Sequence, residues 1–418
     1  MSTRDYNRLS TYLLGWIDSN DLAWMPPWPV GGTPREREVQ ALRRQARWLI
    51  RQDLAAKQGW PRILTQSLAW PVIATVKTVL ALRARPVRFA TRAWFQAFAV
   101  TWWLQIFHNL RIADQSEYCL EFSSRWELVR SFLSCREHQI LLARAAERHS
   151  GFPALDQKQN FARFCEENHI PHPATVMEFD TGRLLQSHPW PASDLILKPT
   201  NRYSGRGIEI ISHDPAIGAW RAHDGTLLTP ETLPVYAHRQ LGDGAWLLQP
   251  RLLNPPYWKP FTPGPLSTMR IVTGIISSGG KPVIIGMHVR FPVYHPFVDN
   301  VGAGGLTAWL DSDTGRLKTG LTWSGGPRFN SHHPVTGARI EGELLPDWPA
   351  LRELALRAHE ASGDWSTMGW DVASTRQGPA LIEANILWGA LSFVPHGHLA
   401  FIEAMKTAFG ADYEHLRP

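Results

Sequence analysis

The chain has 418 residues, 44% hydrophobic and 19% charged, which is enough apolar material for a sizeable core and too little charge for wholesale disorder. Its length suits two or three domains. Three scattered cysteines, Cys119, Cys135 and Cys165, exclude a disulfide framework or a thiolate zinc site and fit a reducing compartment.

The polar opening MSTRDYNRLS predicts no signal peptide. The longest charge-free apolar runs are Ile63–Val76, which contains Pro71, and Ala93–Phe107. Both fall short of the roughly 20 residues a membrane span needs, so no transmembrane helix is expected. Charge is unevenly placed. Residues 1–112 hold 16 Lys+Arg against 6 Asp+Glu, a net of +10, and the rest hold 27 against 31, a net of −4. Nine of the 20 tryptophans also lie in 1–112. A basic, tryptophan-rich front end therefore joins a slightly acidic body, which bears on partners rather than on fold.

In Val39–Lys57 the residues Val39, Leu42, Ala46, Leu49, Ile50 and Leu54 recur at helical spacing. Arg43, Arg44, Arg47 and Arg51 are expected on the remaining, solvated surface. Arg83, Arg85, Arg88 and Arg92 then precede AWFQAFAVTWWLQIF. The first expectation is a helical accessory region with its aromatics packed inward. The alternative is an anionic membrane surface or a protein partner, since basic residues beside tryptophan and phenylalanine suit headgroups. No zinc finger, helix-turn-helix or RNA-binding aromatic motif supports nucleic acid.

From about residue 185 short β-rich runs alternate with Gly/Pro/Asn turns: LILKP, GIEIIS, WLLQP, MRIVTGIIS, PVIIGMHVR, LTAWLDS, GWDVAS and ALIEAN. A helix over Trp348–Ser362 interrupts them, and the mixture predicts an α+β fold. In DLILKPTNRYSGRGIEIIS a strand ends at Lys198-Pro199, and Ser204, Gly205, Arg206 and Gly207 lead into the next. Glycines let backbone N–H groups converge on an anion, and Lys198 adds a point charge. Taken alone, the same residues suit an ordinary hairpin turn. Arg270 and Arg290 lie in apolar strands, where a guanidinium needs an anion or a partner carboxylate. VDNVGAGGL offers Asp299 and Asn300 before a glycine turn. His332-His333 and His396-x-His398 lack clustered ligands, so surface or capping roles are expected.

MGWDVASTRQGPALIEAN has two apolar runs around the turn signal Thr375-Arg376-Gln377-Gly378. A hairpin centred at Gln377 sets Asp371 opposite Glu383, and Asn385 shares their face. Opposed carboxylates repel unless a hard cation lies between them, and Mg²⁺ prefers such oxygens. The plain alternative is an edge pair in which one carboxylate meets Arg376 or another base.

The order of these features resembles the ATP-grasp superfamily, and STMRIVTG, VDNVGAGGL, HPVTG, GWDVAST and GPALIEAN resemble its sugar-transfer-associated family over roughly residues 140–400. The resemblance implies two α+β subdomains gripping ATP, preceded by the basic, Trp-rich helical region. It divides the chain into 1–112, the accessory region; 113–185, a mainly helical first part; 186–252, the glycine-loop lid; and 253–418, the C-terminal subdomain with the Mg site. By resemblance Lys158 and Lys198 reach the ATP phosphates and Ser204, Gly205, Arg206 and Gly207 form the lid loop. Gln249, Arg251 and Leu252 form the adenine hinge. Asp371, Glu383 and Asn385 hold Mg²⁺, with Mn²⁺ as the alternative ion. Arg270 matches the arginine that meets the transferring phosphate, although Thr268 departs from the usual acidic residue two positions before it. Arg290 and Asn300 are candidates for phosphate or acyl-substrate contact.

The implied reaction is ATP-dependent ligation through an acyl phosphate, giving ADP and phosphate. The reactants would be a carboxylate and an amine or thiol of an amino acid, peptide, or sugar- or lipid-linked metabolite. One alternative is a kinase that phosphorylates a hydroxyl. Another is a membrane-associated biosynthetic partner with a regulatory nucleotide site. A cytoplasmic location is expected, peripheral at the inner face of the membrane if residues 1–112 bind it. Asn254–Pro263, Val293–Pro296 and Trp388–His396 are the segments expected near an acceptor.

Overall fold

The computed structural model describes residues 32–83, 89, 91–120, 122–148, 155–180, 183–200, 207–242, 244–262, 264–293, 304–323 and 326–410. The described residues form two compact units. One comprises 32–148, 275–280 and 387–410; the other comprises 155–274 and 281–386. These units are discontinuous, unlike the four consecutive segments expected from the sequence. The chain returns to its first helices after residue 386.

The first unit is helical. Its helices are α1 (Pro34–Gln58), α2 (Trp60–Arg83), α3 (Arg92–Phe107), α4 (Ile112–Glu117) and α5 (Cys135–Ala146), joined at the end by Leu399–Phe409. A capping box starts α1. Glu36 N donates to Thr33 Oγ1 (3.3 Å) and Thr33 N to Glu36 Oε2 (2.7 Å), and Pro34 supplies a preset φ. Gly59, at φ 82°, ends the helix in a conformation that favours glycine. The apolar stripe Val39, Leu42, Ala46 and Ile50 is buried as its spacing predicts.

The arginines between those positions are a correction. Arg43 and Arg47 are fully buried and both pair with Glu137 of α5, Arg47 Nε at 2.7 Å and Arg43 Nε at 3.2 Å. Glu137 also accepts from Ser134 N at 2.7 Å, so one carboxylate completes a helix cap and two ion pairs. Helical periodicity finds the buried face from its apolar residues and cannot register a charge buried against a distant partner. The span expectation also changes. Helix α2 runs on through Pro71 and Lys77 and is long and apolar enough to cross a membrane by length and composition, with 33% of that window buried.

The second unit holds two antiparallel sheets. The smaller-stranded region is built from β1 (Met177–Asp180), β2 (Arg183–Ser187), β3 (Leu195–Pro199), β4 (Glu209–Asp214), β5 (Ala219–Arg221), β6 (Leu227–Leu228) and β7 (Ala245–Pro250), in the order β2-β1-β7-β3-β4-β5-β6. Helix α6 (Lys158–Glu167) precedes it and α7 (Leu233–Leu241) lies within it. Leu195, Leu197, Ile211, Trp246 and Leu248 form its core. The other sheet runs β12-β11-β10-β9-β8-β13-β14, with β8 (Met269–Gly274), β9 (Val283–Phe291), β10 (Leu306–Leu310), β11 (Leu317–Thr322), β12 (Arg328–Asn330), β13 (Thr367–Thr375) and β14 (Gly378–Asn385). Helix α8 (Trp348–Ser362) matches the predicted helix and packs on β13, β14 and β8. His359 on α8 bonds Thr273 Oγ1 (2.6 Å), which also accepts from Trp370 Nε1 (2.9 Å). This fixes one face of the sheet against the helix and leaves the alternate residues on the other.

Candidate active site

The other face carries a polar row. Glu383 pairs with Asp371, Asp371 with Arg270, and Arg270 with His288, each directly across neighbouring strands β14, β13, β8 and β9. Side chains opposed in this way project to one face. Arg290, two residues past His288, shares it, as does Asn385, two past Glu383.

The expected opposition of Asp371 and Glu383 is present, but a β-bulge produces it. The turn is the two residues Arg376-Gln377, with Thr375 opposite Gly378. That register continues to Val372 opposite Leu381 and would next set Asp371 against Ile382. The register shifts there by one residue and brings Glu383 opposite Asp371 instead. Without the shift Glu383 would lie on the far face.

Asp371 is buried and doubly engaged. Arg270 donates to it through Nε and through Nη2 (3.2 Å to Oδ2), and Arg290 donates through Nη2. Burial alone would raise the Asp371 pKa; the two guanidiniums outweigh it and hold the carboxyl well below the usual range. Burial and Asp371 push the Glu383 carboxyl up, against the pull of Lys158, Arg270 and Lys198. The Glu383 carboxylate makes no hydrogen bond to a described residue. His288 is driven well below its ordinary value by burial, Arg290 and Arg270, so its imidazole is neutral. Sequence reasoning missed His288; its alternation with Arg290 in HVR, on a strand otherwise apolar at those positions, was the available signal.

Two lysines from the other sheet's elements act on this row. Lys158 opens α6 and donates to Pro199 O at 2.6 Å, at the end of β3. Lys198 lies one residue before that proline. Burial lowers the Lys158 ammonium, with Glu383 opposing. Burial and then Lys158 push Lys198 down to about 8. The Lys198 ammonium has no hydrogen-bond acceptor among the described residues.

The remaining candidates divide. Ser204, Gly205, Arg206 and Asn300 lie outside the described residues. Gly207 is described, at φ 80°, leading into β4. Gln249 is buried in β7 with its Nε2 donating to Pro173 O (2.9 Å), and Arg251 binds Asp194 through Nη1 (3.0 Å). Both side chains therefore fasten the end of β7 to neighbouring segments, and Leu252 follows them in a half-buried position. His333 and His398 are buried rather than on the surface; His333 caps a local turn, and His398 ties to a segment distant in sequence. Nδ1 of His333 accepts from Val335 and Thr336 N–H, and Nδ1 of His398 accepts from Leu133 N (3.2 Å). Trp388, which opens the segment Trp388–His396, is a core residue of the helical unit, packed on His138 and Phe393. Tyr257 of Asn254–Pro263 bonds Asp347 (2.9 Å) and Ser374 (3.0 Å). Residues 294–296 of VYHP lie outside the described residues.

Whether a divalent cation fits is decided by the donor set. Two opposed carboxylates and an amide share one face, and every candidate ligand is a hard oxygen. Among the described residues Asn385 Nδ2 is buried with no hydrogen-bond partner, and the Glu383 carboxylate has none either, so the amide is held by no described acceptor and the carboxylate oxygens remain open to a cation. These residues fit Mg²⁺. Asp371 fits through whichever oxygen lone pairs the two arginines leave open.

Two seven-stranded antiparallel sheets with helices, and a lysine-flanked carboxylate row, define an ATP-grasp fold. The chain belongs to the sugar-transfer associated ATP-grasp family, whose model matches residues 138–403. No curated protein matches the chain. Among solved structures it is similar to the L-amino acid ligase from Bacillus licheniformis (13% identity, TM-score 0.32), covering 60% of this chain and 46% of that one. It is also similar to D-alanine–D-alanine ligase from Bacillus anthracis (11%, TM-score 0.34; 62% and 69%). Biotin carboxylase from Campylobacter jejuni is a third (13%, TM-score 0.35; 71% and 52%). The chain thus spans less than half the length of the first of these. Likenesses this distant carry nothing about activity.

Proposed function

We propose that the protein is an ATP-dependent ligase that joins a carboxylate to an amine through an acyl phosphate, releasing ADP and phosphate. The observation that carries this reading is the Glu383–Asp371–Arg270–His288 row, flanked by Arg290 and acted on by Lys158 and Lys198. Such a site concentrates charge of both signs without supplying a nucleophile. That suits phosphoryl transfer, where catalysis is positioning and neutralisation.

Lys158 and Lys198 hold the triphosphate by charge. Asp371, Glu383 and Asn385 would hold Mg²⁺, which when bound offsets phosphate charge. A substrate carboxylate oxygen bonds the γ-phosphorus as the bond to the ADP oxygen breaks. Arg270 and Arg290 are already desolvated and aimed by Asp371, so they meet the charge on the acyl phosphate with little reorganisation. The amine then bonds the acyl carbon as the bond from that carbon to the phosphate oxygen breaks, and the amine's proton passes to water as inorganic phosphate leaves. Neutral His288, beside both arginines, fixes their spacing without adding charge.

The test is a product assay with carboxylate and amine panels. Equal release of ADP and phosphate, dependent on both reactants, supports the ligase. AMP as the sole nucleotide product overturns it, and phosphate retained on a hydroxyl product makes the protein a kinase instead.

A further inference from the structure

Helix α2 carries an exposed apolar ridge. Trp60, Leu64, Leu68, Val72, Val76 and Leu80 recur every four residues and are all exposed, Leu68 to 81% and Val72 to 69%. Residues spaced by four form an oblique row along a helix surface, here about 30 Å long. The opposite side of α2 is used. Trp70, Ile73 and Ala74 pack with Ile106 of α3, Trp102 Nε1 donates to Thr75 Oγ1 (3.0 Å), and Gln105 Nε2 donates to Thr78 Oγ1 (2.8 Å). The helix is therefore anchored in protein along one side, and beyond Trp60, whose ring meets Trp48 and Arg51, the other side is left exposed by the described residues. Phe89 and Phe95 are exposed as well. An uncovered apolar surface of this extent marks an interaction site.

Charge identifies what covers it. Residues 54–113 contain no Asp or Glu and eight Lys or Arg. Basic residues bracket the ridge: Arg51 lies over the Trp60 ring at 5.8 Å from its centroid, and exposed Arg83 and Arg92 stand at the other end. A second copy of this chain placed face to face would set these bases against each other, and the nearest acid in sequence, Asp53, is already paired with Arg144. Nucleic acid would leave the ridge in water. An anionic bilayer satisfies both features at once, taking the apolar row into its acyl boundary and the bases to its headgroups, with Trp60 at the interface. A spanning α2 would carry Gln66 and the Thr75 and Thr78 bonds to α3 into hydrocarbon, whereas lying in the interface leaves that packed side facing protein.

We infer that α2 docks the protein on an anionic lipid surface, lying in the headgroup plane through Trp60–Leu80, independently of the reaction proposed above.

The test uses the full chain with vesicles of phosphatidylcholine alone or mixed with phosphatidylglycerol. Co-flotation with the mixed vesicles, lost in high salt, is expected. Leu68→Lys with Val72→Lys should weaken it by roughly tenfold or more. Both positions are solvent-exposed, so helical circular dichroism should be unchanged. Leu68→Phe, which keeps the ridge apolar, should bind like the wild type. The inference is overturned if the wild type does not float, if the double lysine variant floats equally, or if α2 resists alkaline extraction as a spanning helix would. It is overturned too if the wild type is a dimer that the variant breaks without any vesicle binding, since a second copy would then be the occupant.

Discussion

The molecule places one carboxylate between two guanidiniums twice. In the helical unit Glu137 lies between Arg43 and Arg47; on the larger sheet Asp371 lies between Arg270 and Arg290. The chemistry is the same and the surroundings are not. Glu137 and both its arginines are fully buried, and the carboxylate also closes a capping box, so its acceptors are spent within the fold. The arginines of Asp371 keep 12–13% exposure, and a second carboxylate, Glu383, opposes Asp371 with no hydrogen bond to a described residue. A carboxylate with its acceptors all engaged holds structure together. A row in which a second carboxylate and a lysine make no hydrogen bond to a described residue, with partial exposure, has charge left over for a ligand.

That contrast can be broken most sharply at the unpaired carboxylate. Glu383→Gln should lower turnover by about three orders of magnitude or more, because the metal and phosphates lose a fixed anchor. Its melting temperature should hold or rise, since the repulsion with Asp371 is relieved. Steady-state ADP release and a thermal melt check both, and near-wild-type turnover would contradict the assignment. Glu137→Gln should do the reverse. Leaving two buried guanidiniums uncompensated costs about 3–5 kcal/mol in denaturant unfolding, while activity per folded molecule is retained.

Smaller effects sharpen the comparison. Lys198→Ala should raise the KM for ATP by about tenfold or more, leaving the melt unchanged, because it removes a charge that is attracted to phosphate and repelled by Lys158. The wild-type KM for ATP should be flat below pH 8 and rise above it. The Lys198 ammonium, held down to about 8 by burial and Lys158, loses its proton there and with it the attraction to phosphate. The alanine variant should lack that inflection. Smallest of all, replacing Arg43, Glu137 and Arg47 together by Met, Leu and Met should cost less stability than Glu137→Gln alone and leave activity unchanged, since a buried triad is exchangeable for apolar packing apart from the lost cap on Ser134 N.

Much of this was legible in the sequence. Hairpin symmetry put Asp371 against Glu383, and strand alternation put Asn385 beside them. The reason for the pairing was not legible: a two-residue turn and a compensating bulge replace the symmetric turn assumed, and bulges leave no composition signal in ALIEAN. Arg270 and Arg290 were read as arginines seeking an anion, and the anion proved to be Asp371, itself a ligand candidate. The plainer alternative, a carboxylate paired to a base, thus coexists with the metal reading. Arg43 and Arg47 were misplaced on the surface because their partner stands some 90 residues away, as the Arg47–Glu137 separation of 90 records. The continuity of α2 was missed because Pro71 and Lys77 break the apolar run, though not the helix.

The central claim is that Asp371, Glu383 and Asn385 hold a divalent ion against a triphosphate gripped by Lys158 and Lys198. Electron paramagnetic resonance of Mn²⁺ with a non-hydrolysable ATP analogue tests it most directly. The wild type should give a protein-bound Mn²⁺–nucleotide spectrum. That spectrum should disappear in Glu383→Gln and require more nucleotide in Lys198→Ala. An unaltered bound spectrum in Glu383→Gln would contradict the account.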